Sequence, residues 1–204
     1  MLRCLVNRPQ LLPAKFPLAT PCCVSRRTFL GFSGGDTKEQ RYILKKVFNA
    51  PLHHVYHAVS EVSLYKLFIP YCTDSFVNKR RPSDNMPTEA GLRVGFQQYD
   101  ETFVCRVDCT KLPGNQRSVT AESLAHHLFE TLHTQWLLSP HPTRPDSSVV
   151  ELILRFRFKS QLYNSVSSIF GTRVTQVVMK AFEKRVFQLR KEAMDKPPTG
   201  DASH

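Results

Sequence analysis

The sequence VVELILRFRFK, residues 149–159, alternates between apolar and charged side chains. Its apolar positions fall on one face and are Val150, Leu152, Leu154, Phe156 and Phe158. A period of two residues is typical of a β-strand with one buried face. The next segment, residues 163–191, repeats its apolar side chains every three or four positions, which predicts one long amphipathic helix. Because such a helix is stable in water only when its apolar stripe is covered, we expect it to pack against a sheet.

Six further strands are predicted upstream of this pair. They lie at residues 41–48, 72–78, 90–98, 102–110, 118–123 and 129–138. The later strands are separated by turn residues and not by helical patterns, which favours an antiparallel meander. Two short helices are predicted after the first strand, beginning near Pro51 and ending at Pro70. The predicted fold class is therefore α+β, with a curved antiparallel sheet wrapped around a long C-terminal α-helix.

The two ends of the chain differ in composition from the predicted domain, residues 40–191. Residues 1–35 contain five basic side chains and no acidic one, a composition typical of a mitochondrial presequence. We therefore interpret residues 1–39 as a presequence and linker, and residues 192–204 as a disordered tail. Without those five charges the formal net charge of +11 falls to +6. Such a moderately basic surface suits anionic lipid or an acidic protein and does not by itself indicate nucleic acid.

The sequence contains no motif that predicts catalysis or a metal site. His53, His54 and His57 have a spacing that a metal would accept, but no carboxylate or cysteine completes a known pattern. Cys72, Cys105 and Cys109 are an odd number without CxxC spacing, which favours reduced thiols in the core or in a cavity wall. A dyad of Asp108 with His133 remains an alternative. We expect no catalytic residue, no metal and no cofactor.

Five blocks of the domain, in order, resemble the coenzyme Q-binding family of START-like proteins. The blocks are residues 51–75; Leu92-x-Val94-Gly95-Phe96; Leu128-Phe129-x-x-Leu132-x-Thr134-x-Trp136 with Pro140; Phe156-x-Phe158-x-Ser160; and Ala181-Phe182-Glu183-x-Arg185. The sequence departs from the family pattern at Glu61, Tyr71 and Gly171, where aspartate, tryptophan and a second phenylalanine are usual. The resemblance implies a helix-grip fold with a lipid cavity between the sheet and the long helix.

The resemblance also implies a function, the binding of coenzyme Q by a carrier or chaperone that supports respiration and quinone synthesis. It implies peripheral attachment to the matrix side of the inner mitochondrial membrane, with anionic lipid and quinone-synthesis or respiratory complexes as further partners. We expect Arg173 and Lys180 to favour anionic lipid. The predicted cavity wall is made of Leu132, Trp136, Leu152, Leu154, Phe156, Phe170, Val174 and Val178, with Phe68 and Pro70 at an entrance.

Three other interpretations are open at this point. The aromatic side chains could form an ordinary core without a cavity. The domain could be a ribosome- or RNA-interacting module, although the sequence lacks the interleaved aromatic and basic residues that stack on bases, and no nucleic acid is expected. It could also be a polyketide cyclase-type enzyme, because a fold alone does not determine chemistry.

Overall fold

The computed structural model describes residues 39–96 and 99–195, without the side chains of residues 96, 99 and 161–172. Seven strands form one curved antiparallel sheet in the order β1-β7-β6-β5-β4-β3-β2. They are β1 (Gln40–Phe48), β2 (Cys72–Arg80), β3 (Pro87–Phe96), β4 (Tyr99–Leu112), β5 (Gln116–Ser123), β6 (Phe129–Pro140) and β7 (Ser148–Phe158). The helices are α1 (Leu52–Ser60), a 3₁₀ helix (Val62–Leu67) and α2 (Gln161–Asp195). The predicted fold class and order of elements are confirmed.

The differences from the predicted elements lie at their ends. The second short helix is a 3₁₀ helix, because the Phe68 N–H donates to the carbonyl of Tyr65, three residues back, at 3.1 Å. Strand β3 begins at Pro87 and not at residue 90, since a hydrogen bond from Arg81 N to Met86 O, 2.8 Å long, closes the β2–β3 hairpin early. Helix α2 continues to Asp195, so residues 192–195, predicted to belong to the tail, are helical, and residues 196–204 lie outside the described residues.

The core lies between the concave face of the sheet and the helices. Phe182 of α2 is 1% exposed and occupies its centre. Its ring lies 4.6 Å from that of Trp136 on β6 and 5.2 Å from those of Tyr65 and Phe68. Edge-on and tilted contacts of this kind hold the helix at a defined depth above the sheet.

The 3₁₀ helix is fastened to β2 through one buried serine. Ser75, which is 2% exposed, accepts a hydrogen bond from the backbone N–H of Lys66 at 3.0 Å and donates one to the carbonyl of Ser63 at 2.9 Å. The Tyr65 hydroxyl donates to the carbonyl of Val59 in α1 at 2.5 Å. These bonds set the position of the 3₁₀ helix relative to α1 and the sheet.

Helix α2 is fastened near its C-terminal end to the corner that follows β1. Lys46 and Glu183 form an ion pair at 2.6 Å, and Arg190 donates to the carbonyl of Asn49 at 2.5 Å.

Among the described residues, no helix combines the length and the apolar character that crossing a membrane requires.

Candidate ligand-binding cavity

A cavity of about 280 Å³ lies between the concave face of the sheet and helix α2. The sheet contributes the inward-facing residues of five consecutive strands, which are Ala90, Leu92, Phe103, Cys105, Val107, Val119, Ala121, Leu132, Thr134, Trp136, Leu152 and Leu154. The helical side contributes Val59, Val62, Tyr65, Ile69, Val174, Thr175, Val178 and Phe182. The strand residues follow the period of two, and those of α2 recur at three- and four-residue steps. One continuous apolar lining is the result.

The few polar groups of this lining are neutral. Among the described lining residues none is charged, and the polar groups are the hydroxyls of Tyr65, Thr134 and Thr175, the thiol of Cys105 and the indole of Trp136. Burial raises the pKa of Tyr65 and raises the pKa of Cys105 to about 12, so both keep their protons at neutral pH. The cavity therefore suits a neutral, largely apolar molecule with a few hydrogen-bonding atoms.

Six of the ten residues predicted for the cavity surround it in the structure. They are Leu132, Trp136, Leu152, Leu154, Val174 and Val178. Phe156 faces the same side of β7 but lies beyond the lining, because its ring packs against Tyr42 at 6.0 Å and Phe158 at 5.5 Å. The side chain of Phe170 lies outside the described residues.

The two residues predicted for an entrance do not line the cavity either. Phe68 is partly buried and its ring packs against Phe182, behind the wall that Tyr65 and Ile69 provide. Pro70 is exposed in the turn before β2. The next residue, Tyr71, has a φ of 66° and is 48% exposed, and its carbonyl accepts a hydrogen bond from Gly95 N at 2.9 Å. This turn therefore lies at the edge of the 3₁₀ segment and not inside the cavity.

Sequence reasoning missed the part of the wall that β3, β4 and β5 provide. Leu92, Phe103, Val107 and Val119 line the cavity, and each sits on the inward face of an alternating strand. The alternation of apolar residues in β3, β4 and β5 could have predicted these lining residues. It is weaker than the alternation in β7, because small and polar side chains interrupt it. Cys105, predicted for the core or a cavity wall, lines the cavity, whereas the buried Cys109 lies outside it.

The alternative chemical sites found in the sequence do not assemble. No group of three potential metal ligands is found among the described residues. The rings of His53 and His54 lie 4.0 Å apart, and the pKa of His54 is lowered by burial and by the neighbouring His53, His57 and Arg190. Asp108 pairs with Arg81 at 3.3 Å. His133 pairs with Glu122 at 3.2 Å, so Asp108 and His133 have different partners.

Comparisons with known proteins agree with this architecture. The family model described as "Polyketide cyclase / dehydrase and lipid transport" matches residues 48–183. The chain is 92% identical over 204 residues, all of both chains, to the mitochondrial coenzyme Q-binding protein COQ10 of Eremothecium gossypii. It is 54% identical to the protein of that name from Saccharomyces cerevisiae over 180 residues, which cover 87% of this chain and 86% of the relative.

Solved structures share the fold at low sequence identity. A START superfamily protein from Mycobacterium smegmatis superposes with a TM-score of 0.59 at 20% identity, covering 73% of this chain and 98% of that one. The Zhui aromatase/cyclase of a Streptomyces species superposes with a TM-score of 0.60 at 10% identity, covering 78% and 100%. At this identity the two structures establish the fold alone, whereas the family match and the relatives establish membership. The chain belongs to the polyketide cyclase/dehydrase and lipid transport family and, within it, to the coenzyme Q-binding COQ10 proteins.

Proposed function

We propose that the protein binds coenzyme Q in the cavity under α2 and acts as a lipid carrier or chaperone for respiration and quinone synthesis, without catalysing a reaction. The observation that carries the proposal is the uncharged, mostly apolar lining, which matches a neutral quinone ring and its first prenyl carbons. Relatives 92% and 54% identical to the chain are named coenzyme Q-binding proteins, which supports the same ligand. The lining also supports a binding role, since its described residues are uncharged and apolar side chains predominate among them.

The size of the cavity limits how much of a long ligand it can hold. A cavity of roughly 150 Å³ accommodates benzene, so a volume of about 280 Å³ holds about one substituted ring and the beginning of a tail. Each further prenyl unit left in water costs about 3 to 4 kcal/mol at roughly 0.8 kcal/mol per carbon group. The remaining tail therefore stays in a bilayer or against another apolar surface. The protein presents the ring and does not enclose the whole molecule.

We place the ligand contacts on the six predicted residues that surround the cavity, Leu132, Trp136, Leu152, Leu154, Val174 and Val178. Phe156 and Phe68 then act behind this wall, where they hold β7 and the 3₁₀ helix in place. We place the entrance beside the 3₁₀ helix, whose residues Val62 and Tyr65 line the cavity, with Phe68 and Pro70 at its edge.

Two observations support a mitochondrial location. Residues 1–35 have the basic, acid-free composition of a presequence, and the named relatives are mitochondrial proteins. We infer peripheral attachment to the matrix side of the inner membrane. Anionic lipid and the complexes that make or use the quinone are the expected partners there.

Substitution of neighbouring residues in β7 tests the proposal. Leu154 lines the cavity, while Ile153 points to the opposite face of the sheet. We expect Leu154→Lys to remove coenzyme Q from the organic extract of the purified full chain, because a charge in the apolar lining excludes the ring. Mass spectrometry of the extract measures the quinone, and Ile153→Lys serves as the matched control that retains it.

A second variant covers the case in which Leu154→Lys does not fold. Ala121→Leu adds volume inside the cavity, so we expect the melting temperature to be unchanged or higher and the quinone content to fall. Quinone content equal to that of the unsubstituted chain in a folded Ala121→Leu protein would contradict binding at this site.

A further inference from the structure

The solvent-facing side of helix α2 carries a continuous line of apolar and basic side chains. At steps of three and four residues it presents Arg173, Val177, Lys180, Lys184, Phe187, Lys191 and Met194, all exposed. Phe187 is 62% exposed and Met194 is 74% exposed, values unusual for large apolar side chains. The line extends for about 30 Å at the rise of an α-helix. We call it the α2 ridge.

The cations of the α2 ridge differ from other basic residues on the same helix. Arg185 pairs with Glu192 at 3.5 Å, and Glu183 forms an ion pair with Lys46 of β1. In the part of the chain that the structure describes, Arg173, Lys180, Lys184 and Lys191 form no ion pair. The acidic residues of this part of α2 are Glu183 and Glu192, which have these partners, and Asp195 at the last turn. Four positive charges thus lie along one helix face without an ion-pair partner among the described residues.

We propose that the α2 ridge is the surface by which the protein lies on an anionic bilayer. Apolar side chains that alternate with long basic ones suit the headgroup region, where the apolar groups insert and the ammonium groups meet phosphates. Charge complementarity selects anionic lipid, because the ridge residues include four positive side chains and no negative one. A straight, convex line also suits a flat partner better than a groove-binding peptide.

The opposite face of the same helix lines the cavity. Val174, Val178 and Phe182 point into the cavity, while Val177 and Lys180 point to solvent. When the ridge lies on the membrane, α2 therefore separates the cavity from the membrane surface. A ring held in the cavity would then keep its tail within reach of the bilayer. This inference rests on the proposed membrane attachment and names the face that makes it.

Flotation of the full chain with vesicles tests the ridge. The vesicles consist of phosphatidylcholine alone or mixed with phosphatidylglycerol. We expect Lys180→Glu/Lys184→Glu to weaken binding to the mixed vesicles by at least about 25-fold, since each basic residue near such a surface contributes about fivefold. The matched control is Arg41→Glu/Arg155→Glu, which makes the same change of charge at two exposed residues paired across β1 and β7 on the outer face of the sheet. Equal losses in both variants would contradict the ridge.

A local reporter separates the ridge from the basic N-terminal segment. Phe187→Trp adds a tryptophan on the ridge, whereas the chain's single Trp136 is buried. Brominated lipid should quench the added fluorescence, and it should not quench that of Ile43→Trp, placed at a 54% exposed position on the outer face. Absence of quenching at position 187 while the protein floats would overturn the ridge and leave membrane attachment standing. Failure of the unsubstituted chain to float would reject the attachment itself, and quinone content, measured separately, reports on the cavity.

Discussion

Glu61 joins three parts of the structure at a single carboxylate. It lies between α1 and the 3₁₀ helix and accepts hydrogen bonds from Arg80 on β2 at 2.6 and 3.2 Å and from Ser63 at 2.5 Å. Arg80 also donates to the carbonyl of Asn85 in the β2–β3 hairpin at 3.0 Å. One side chain therefore connects the helical corner to the hairpin.

The bonds of Glu61 make part of the stability depend on pH. Burial acts to raise the pKa of Glu61, but the hydrogen bonds from Arg80 and Ser63 outweigh it and the pKa is lowered. A lowered pKa adds stability above the unfolded value near 4.3, and this stability is lost as the pH falls through the folded pKa. We expect Glu61→Gln to lower the free energy of unfolding by about 1 to 2 kcal/mol at pH 7.

Denaturant titrations at several pH values check this expectation. The difference between Glu61→Gln and the unsubstituted chain should begin to shrink as the pH falls below the unfolded value near 4.3, and it should vanish only below the lowered folded pKa, where the carboxylate of the folded protein is protonated. Glu192→Gln is the control, because the side chain of Glu192 is 63% exposed and pairs with Arg185 at 3.5 Å. A pH-independent difference for Glu61→Gln would show that the lost contact is not ionic.

At the scale of elements, the position of the 3₁₀ helix decides the shape of one cavity wall. Val62 and Tyr65 belong to this helix and line the cavity. Six residues of 3₁₀ helix have little stability of their own, so the helix depends on its hydrogen bonds to neighbouring elements. Ser75 provides two of these bonds from β2.

We expect Ser75→Ala to destabilise the fold by about 1 to 3 kcal/mol, because it removes two partly buried hydrogen bonds, from the N–H of Lys66 and to the carbonyl of Ser63. Hydrogen exchange of residues 62–69 should accelerate more than exchange in β6 and β7. Thr73→Ala is the matched control on the same strand, since the exposed Thr73 hydroxyl donates only to the carbonyl of Arg93, at 3.2 Å. Uniform acceleration across the domain would contradict a local role for Ser75.

At the scale of the whole molecule, the size of the cavity predicts how the protein responds to ligands of different length. With room for about one ring and the start of a tail, the protein should bind quinones with short and long prenyl chains with similar affinity when both are supplied in detergent. Competition between a short-chain and a long-chain quinone measures this. Affinity that rises steadily with each added prenyl unit would indicate that the whole tail is enclosed.

The fold was predictable because its strongest signals are local. The alternation in β7 and the period of α2 can each be read from neighbouring residues alone. The apolar face of α2 must be covered, and the sheet that contains β7 provides the surface that covers it. The detailed lining was less predictable, because it depends on where aromatic rings pack. Phe156 and Leu154 share a face, but Phe156 meets Tyr42 and Phe158 and leaves the cavity to Leu154. The packing of such a ring depends on contacts with residues far away in the sequence, and a periodic pattern carries no information about those contacts.

The pairing of the first strand with the last also orders the events of folding. Gln40 pairs with Phe156 and Phe48 with Ser148, so β1 reaches its neighbour only after almost the whole domain has been synthesised. Loop closure over that length is slow, and chains are made from the N-terminal end. In a growing chain, the backbone groups of β1 that pair with β7 therefore stay without their partners until β7 has been synthesised. During that interval, chaperones that bind extended segments can bind β1.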